Sequence, residues 1–338
     1  MTTETDPKDS PIVQAESSPR SKRIFVVTLV VVLVLFPIMQ FVGGGGLNYW
    51  LHMLLYIFMY VAMASSWNII GGFAGYTSLG HNVFFAIGGY FAGVLAVYLG
   101  VSAFLTAPIA GLVAMLVGFL VGLISLRTRG PAFIISTIAM ILVVKIVFDN
   151  WGLLGGAGGL STPYLDLPVD FIKMPYYYSM LAVAIGAVFL AYRVRHSKFG
   201  LGLRAISQDE IKAEVAGVPT SQYKILAFAI SAIFVGVAGA LWGSYLTYLK
   251  PSIFLTIGIA THMVLMTVLG GKGTVAGPIV GAVVFIAINE FLVARLGSTE
   301  LNIVAVGVLL VLVLLFFPKG IVGTLKESNK LPAILDWD

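Results

Sequence analysis

Cysteine is absent from all 338 residues, which excludes disulfides, thiolate metal sites and lipid attachment to cysteine, and leaves the redox compartment unmarked. Charge is scarce as well. Asp, Glu, Lys and Arg make up 10% of the chain, where a soluble globular domain carries about a quarter. With a mean hydropathy of +1.00, this is not a soluble domain but a polytopic membrane protein. The four histidines (His52, His81, His196, His262) fall in different segments without metal-ligand spacing. No cofactor or metal is therefore expected on this chain.

A hydrocarbon core about 30 Å thick needs roughly twenty apolar residues per helix. About ten stretches qualify by that measure: 24–42, 50–70, 77–99, 103–125, 132–149, 176–193, 225–249, 255–269, 276–296 and 301–317. The eighth is short and reads as broken. The expected fold is an all-α polytopic bundle, with a polar, disordered tail over 1–23, a membrane domain over 24–323 and a second tail over 324–338. The run 24–42 is too long for a signal peptide and lacks a small-residue exit, so it reads as the first span. Bases set the orientation. With a cytoplasmic amino terminus, Arg127, Arg129, Arg193, Arg195, Lys198, Arg204, Lys212, Lys224, Lys272 and Lys319 all fall inside, and only Lys173, Lys250 and Arg295 outside. Both termini are then cytoplasmic. The net charge of +5 is accounted for by topology and lipid headgroups, without nucleic acid. The spans divide into two groups of five around an outside loop, 150–175, whose Gly155–Gly159 run reads as flexible. An odd number per group permits an inverted repeat.

Several strings imitate catalytic motifs. Gly270-Gly271-Lys272-Gly273-Thr274 resembles a phosphate loop, but Gly273 interrupts the Gly-Lys-Ser/Thr element and no strand precedes it. Ser78 and His81 share a helical face as a serine–histidine pair would, yet no acid stands nearby. Polar residues at membrane depth are more informative, because burying them is costly and they face a bundle interior or a wet path. Ser78, His81, Asn82 and Glu290 form the candidate translocation path, against the plainer reading of caps and interhelical hydrogen bonds; Asn68, His262 and Asn289 lie at similar depth. Lys145 and Asp149, four apart, read as a structural ion pair. An ion-coupled secondary transporter would need more titratable groups at mid-membrane than these.

Between two apolar runs lies a polar island, 193–224. Ser207 with Glu210 reads as a capping box, and Gly217 followed by Pro219 as a helix stop, so a short helix of about nine residues is expected there. Isolated helices that short are marginal in water. Ile211 and Val215, at i and i+4, make one apolar stripe on a charged helix; it is too small to anchor in lipid but fits a groove. Docking to another subunit is the sharper reading, a solvated topological loop the plainer one.

These residues resemble a known family. Gly75, Ser78-Leu79-Gly80-His81 and Gly88-Gly89-Tyr90, then Arg129-Gly130, Leu203-Arg204-Ala205-Ile206, Asp209-Glu210, Ala216-Gly217, Val268-Leu269-Gly270-Gly271-Lys272-Gly273-Thr274 and Pro318-Lys319-Gly320, are similar to the M-type (LivM-type) permeases of branched-chain amino acid ABC importers. The likeness covers most of 50–323. Pro131-Ala132 departs from the aromatic or apolar pair usual there, and the polar amino-terminal tail is longer than in many members. The resemblance implies a second, H-type permease, two cytosolic ATPases that bind ATP, an extracytoplasmic substrate-binding protein and a bacterial inner-membrane location. It implies no enzyme activity on this chain. Asp209, Glu210, Ile211, Glu214, Val215 and Gly217 would form the helix that couples to the ATPase. Near relatives carry branched-chain amino acids, urea, short amides or aromatic acids.

Overall fold

The computed structural model describes residues 19–39, 47–168 and 171–297, and beyond them 304, 307–308, 311–312, 315–317, 319–328, 332 and 336–337. Most of the expected amino-terminal tail and much of the tenth expected span therefore lie outside the described residues. Among those described, eight helices are long and apolar enough to cross a membrane. They are α2 (Asn48–Asn68, continued as a π-helical turn over Ile69–Phe73), α3 (Asn82–Leu99), α4 (Ala103–Ser125), α5 (Pro131–Asn150), α6 (Lys173–Arg195), α9 (Thr220–Leu246), the pair α10 (Pro251–Phe254) and α11 (Ile257–Gly270), and α12 (Gly277–Leu296). The first expected span, 24–42, is described only as far as residue 39. Helix α1 (Pro19–Leu35) passes into a 3₁₀ turn, Phe36–Met39, at Pro37, which has no amide to donate. Two helices, α7 (Lys198–Gln208) and α8 (Glu210–Val215), carry the polar island, and α13 (Gly320–Glu327) runs across the expected boundary at 323.

Local chemistry sets the helix ends. Pro131 starts α5 at a position where a missing amide costs nothing, and Gly100, at φ +65°, ends α3 in a left-handed turn. The centre of the bundle is α9. A β-carbon at Gly88 would collide with the Gly236 carbonyl, and one at Gly239 with the carbonyl of Phe85, so the α3 and α9 backbones touch because small residues face each other. On another side of α9, Gly236 meets Ala114 and Gly111 of α4. Lipid gives helices no hydrophobic drive to associate, so this close fit is what packs them.

At one end of the bundle the two halves are stitched together by backbone. β1 (Leu160–Ser161) pairs antiparallel with β2 (Tyr248–Leu249) in the register Leu160↔Leu249, and Thr162 N–H donates to the Thr247 carbonyl at 2.9 Å. The glycine run before β1 is ordered, contrary to the flexible loop expected: Gly155, Gly156 and Gly159 take positive φ in consecutive 3₁₀ turns, and the Tyr248 hydroxyl donates to the Gly158 carbonyl. Their left-handed φ values fold the run into a compact turn against β2. Lys145 and Asp149 of α5 pair at 2.6 Å, as their spacing requires.

Candidate functional site

The polar island differs from its expected form. Ser207 is no cap. It lies in the last turn of α7, where its hydroxyl donates to the Arg204 carbonyl at 2.8 Å. The cap of α8 is Asp209, in an extended conformation, whose carboxylate accepts from the amides of Ile211 and Lys212 at 3.1 Å each. Those amide hydrogen bonds, that of Lys212 foremost, and the Lys212 ammonium 3.1 Å away hold the Asp209 carboxyl below its ordinary pKa. The helix thus spans six residues rather than nine, because an aspartate two and three residues before free amides caps better than a serine already turned back on its own helix. Gly217 stops it at φ +89°, as the sequence indicates.

Glu210, freed from capping, is the anchor of α8. Its carboxylate accepts from Lys224 Nζ of α9 at 2.6 Å and from the Tyr76 hydroxyl in the α2–α3 connection, and pairs with Arg129 between α4 and α5 at 3.2 Å. The Lys224 ammonium also lies 4.9 Å from the centre of the Tyr76 ring and donates to its hydroxyl at 3.1 Å. Burial alone would raise the Glu210 pKa. Hydrogen bonds from Lys224 and Tyr76, with the charges of Lys224 and Arg129, outweigh that and lower it, so the group is ionised at neutral pH. One short helix is thereby tied to the entrances of several membrane helices. Its other side is bare: Ile211 is 65% and Val215 85% exposed, while Ala213 is buried underneath. Sequence reasoning missed Lys224, Tyr76 and Arg129 as partners of Glu210. The one available signal was a lysine just inside the start of a long apolar helix, which needs a counter-charge.

Three of the four path candidates come together. Ser78 Oγ and Ser231 Oγ of α9 lie 3.0 and 2.9 Å from the two ring nitrogens of His81, all fully buried. Since Ser231 holds the second ring nitrogen, no acid completes a catalytic triad. Trp67 fixes the same turn by donating to the Ser78 carbonyl at 2.7 Å. The neighbouring Asn82 donates through Nδ2 to the Thr256 carbonyl at 2.9 Å, at the break between α10 and α11 that makes the eighth span short. Glu290 stands apart. It lies six residues from the end of α12, roughly 9 Å along the helix, so it sits shallower than mid-membrane. It is half-buried and accepts from the Tyr49 hydroxyl at 3.2 Å. On the α8 side, Asn68 bridges the connection after α11, accepting from Gly273 N–H at 3.0 Å and donating to the Thr274 carbonyl at 2.8 Å. Arg195 adds a hydrogen bond to the Gly273 carbonyl. The phosphate-loop look-alike is thus a helix connection held by side chains. Among the described residues no group of three or more His, Asp or Glu could hold a metal.

A family model described as "Branched-chain amino acid transport system / permease component" matches residues 49–314. The chain belongs to that family. The permease component is 27% identical to the high-affinity branched-chain amino acid transport permease protein LivM of Salmonella typhimurium, over 94% of this chain and 78% of that one. The LivM of Escherichia coli is equally similar, over the same shares. A LivH permease protein of Escherichia coli is 35% identical over 38% of this chain and 41% of its own. No solved structure matches. A permease component of this family is a multi-pass membrane protein, as the eight apolar helices require.

Proposed function

We propose that this chain is the M-type membrane subunit of an ATP-driven importer of branched-chain amino acids or related small amino acids and amides. It works with an H-type permease, two cytosolic ATPases that bind the ATP, and an extracytoplasmic binding protein, in a bacterial inner membrane. The observation that carries this reading is α8 itself: one side is clamped to the bundle through Glu210, and the other presents Ile211 and Val215 uncovered. Such a helix suits docking into an ATPase groove, with movement passing to the membrane helices through the clamp. Its basic surroundings, from Arg193 to Lys224, support a cytoplasmic position by the positive-inside rule.

The apolar pair carries most of the docking energy. Removing both side chains from the groove costs about 2 to 4 kcal/mol at about 25 cal/mol per Å² of apolar surface, which weakens assembly by about tenfold or more. The expected result for Ile211→Asp/Val215→Asp is normal membrane insertion with loss of bound ATPase and of substrate-stimulated ATP hydrolysis in the purified complex. Full retention of both would reduce α8 to a solvated loop.

A further inference from the structure

Helices α3 and α11 begin at one point and run to opposite ends of the bundle. At 1.5 Å per residue, the 14 residues of α11 extend about 21 Å from Thr256 to the Gly270 end, where Gly271 packs on α13. The 18 residues of α3 extend about 27 Å the other way, past Gly93 beside Leu249 and Thr162. The hydrogen bond from Asn82 to Thr256 joins the two starts, so the junction lies well inside a hydrocarbon core about 30 Å thick.

Two features of this junction are unusual at that depth. The broken backbone is uncovered: Thr256 is half-buried, Ile257 is 45% exposed and Gly258 is exposed. Irregular backbone cannot face lipid tails, because its polar groups would have no partner there; it must border protein or a wet path. The second feature is independent. Asn82 is fully buried, yet its Oδ1 has no hydrogen-bond partner. Since its Nδ2 is fixed to the Thr256 carbonyl, the unused oxygen of the same amide lies in the same break.

We propose that this break seats the backbone of a zwitterionic α-amino acid, its carboxylate on the first-turn amides of α11 and its ammonium on Asn82 Oδ1. The Thr256 hydroxyl takes only the Gly258 amide, at 3.0 Å. Other first-turn amides have no carbonyl one turn earlier, and the positive end of the helix dipole faces the break. The adjacent atoms thus offer donors to an anion and an acceptor to a cation, the two poles of an amino acid. Urea and short amides have no carboxylate to place on α11. The assignment rests on the importer reading for its direction of transport only. It narrows the substrate class to solutes with both charges.

The natural lack of cysteine makes a direct test possible. In membrane vesicles bearing the assembled transporter, without ATP, Ile257→Cys is labelled with a hydrophilic, negatively charged thiosulfonate, with Leu112→Cys on the exposed face of α4 as the lipid-facing control. Ile257→Cys should react and Leu112→Cys should not. At ten times its Kd, leucine leaves about a tenth of sites free and so slows labelling about tenfold; leucinamide, which lacks the carboxylate, should leave the rate unchanged. Asn82→Leu, which removes the acceptor for the ammonium, should abolish leucine protection. Because Asn82 also ties two helices, the labelling in the natural Asn82 background decides if that variant fails to fold. Inertness of Ile257→Cys, or equal protection by leucine and leucinamide, would overturn the proposal. The labelling needs no hydrolysis, so it stands or falls separately from the docking of Ile211 and Val215.

Discussion

At the residue scale the decisive group is Glu210, because its partners come from two helix connections, at Tyr76 and Arg129, and from the start of α9 at Lys224. Lys224 has only 3% of its side chain exposed beside a carboxylate 12% exposed, so removing either partner strands a charge. Breaking such a buried pair costs on the order of 3 to 5 kcal/mol, whereas removing both charges together is often close to neutral. Glu210→Gln and Lys224→Met are each expected to lower the detergent melting temperature, and the double variant to recover most of the loss; additive losses would show that the two do not form one unit. The carboxyl pKa is lower folded than unfolded, so its contribution is complete above the unfolded value near 4.3 and is lost only as pH falls through the lower folded value. A spin label at Val215→Cys should therefore report unchanged α8 mobility from pH 8 to pH 5 and loosening only at stronger acidity.

At the element scale, α8 depends on its two ends more than on propensity, since six residues cannot hold a helix in water alone. Gly217 has open space around its α-carbon. A substitution there meets no neighbour, and its cost is confined to the left-handed backbone, about 1 to 2 kcal/mol for a branched side chain. Gly217→Asn is expected to keep most ATPase retention, because asparagine tolerates that conformation, and Gly217→Val to lose more. Equal effects in a pull-down of the complex would point to a steric role instead. The same distinction separates Gly217 from Gly88 and Gly239, where an added β-carbon meets backbone of the facing helix.

For the molecule as a whole, the distribution of bases predicts an orientation that labelling can check. Ser161, Ser207 and Ser328 are all exposed, and Ser161 lies in the paired strands at the end of the bundle away from α8. Single cysteines at these positions should divide cleanly in intact cells: Ser161→Cys reacts with an impermeant thiol reagent, and Ser207→Cys and Ser328→Cys do not. Labelling of Ser207→Cys from outside would invert the topology.

The sequence by itself determined the membrane class, eight of its ten expected spans to within a few residues, the break in the eighth, and a short helix ending at Gly217. All of these rest on local physics: apolar length against bilayer thickness, and residue types that start or stop helices. It misassigned the cap to Ser207, because serine and aspartate are both good caps and only the chain's path shows which one meets free amides. The tertiary structure alone decided that Glu210 grips Lys224, Tyr76 and Arg129 and that Asn82 reaches Thr256 across 174 positions of sequence. It also set Glu290 beside Tyr49, apart from Ser78, His81 and Asn82. Hydropathy gives the depth of a polar residue in a span but not its rotation about the helix axis, and rotation is set by which small residues let neighbouring backbones close together.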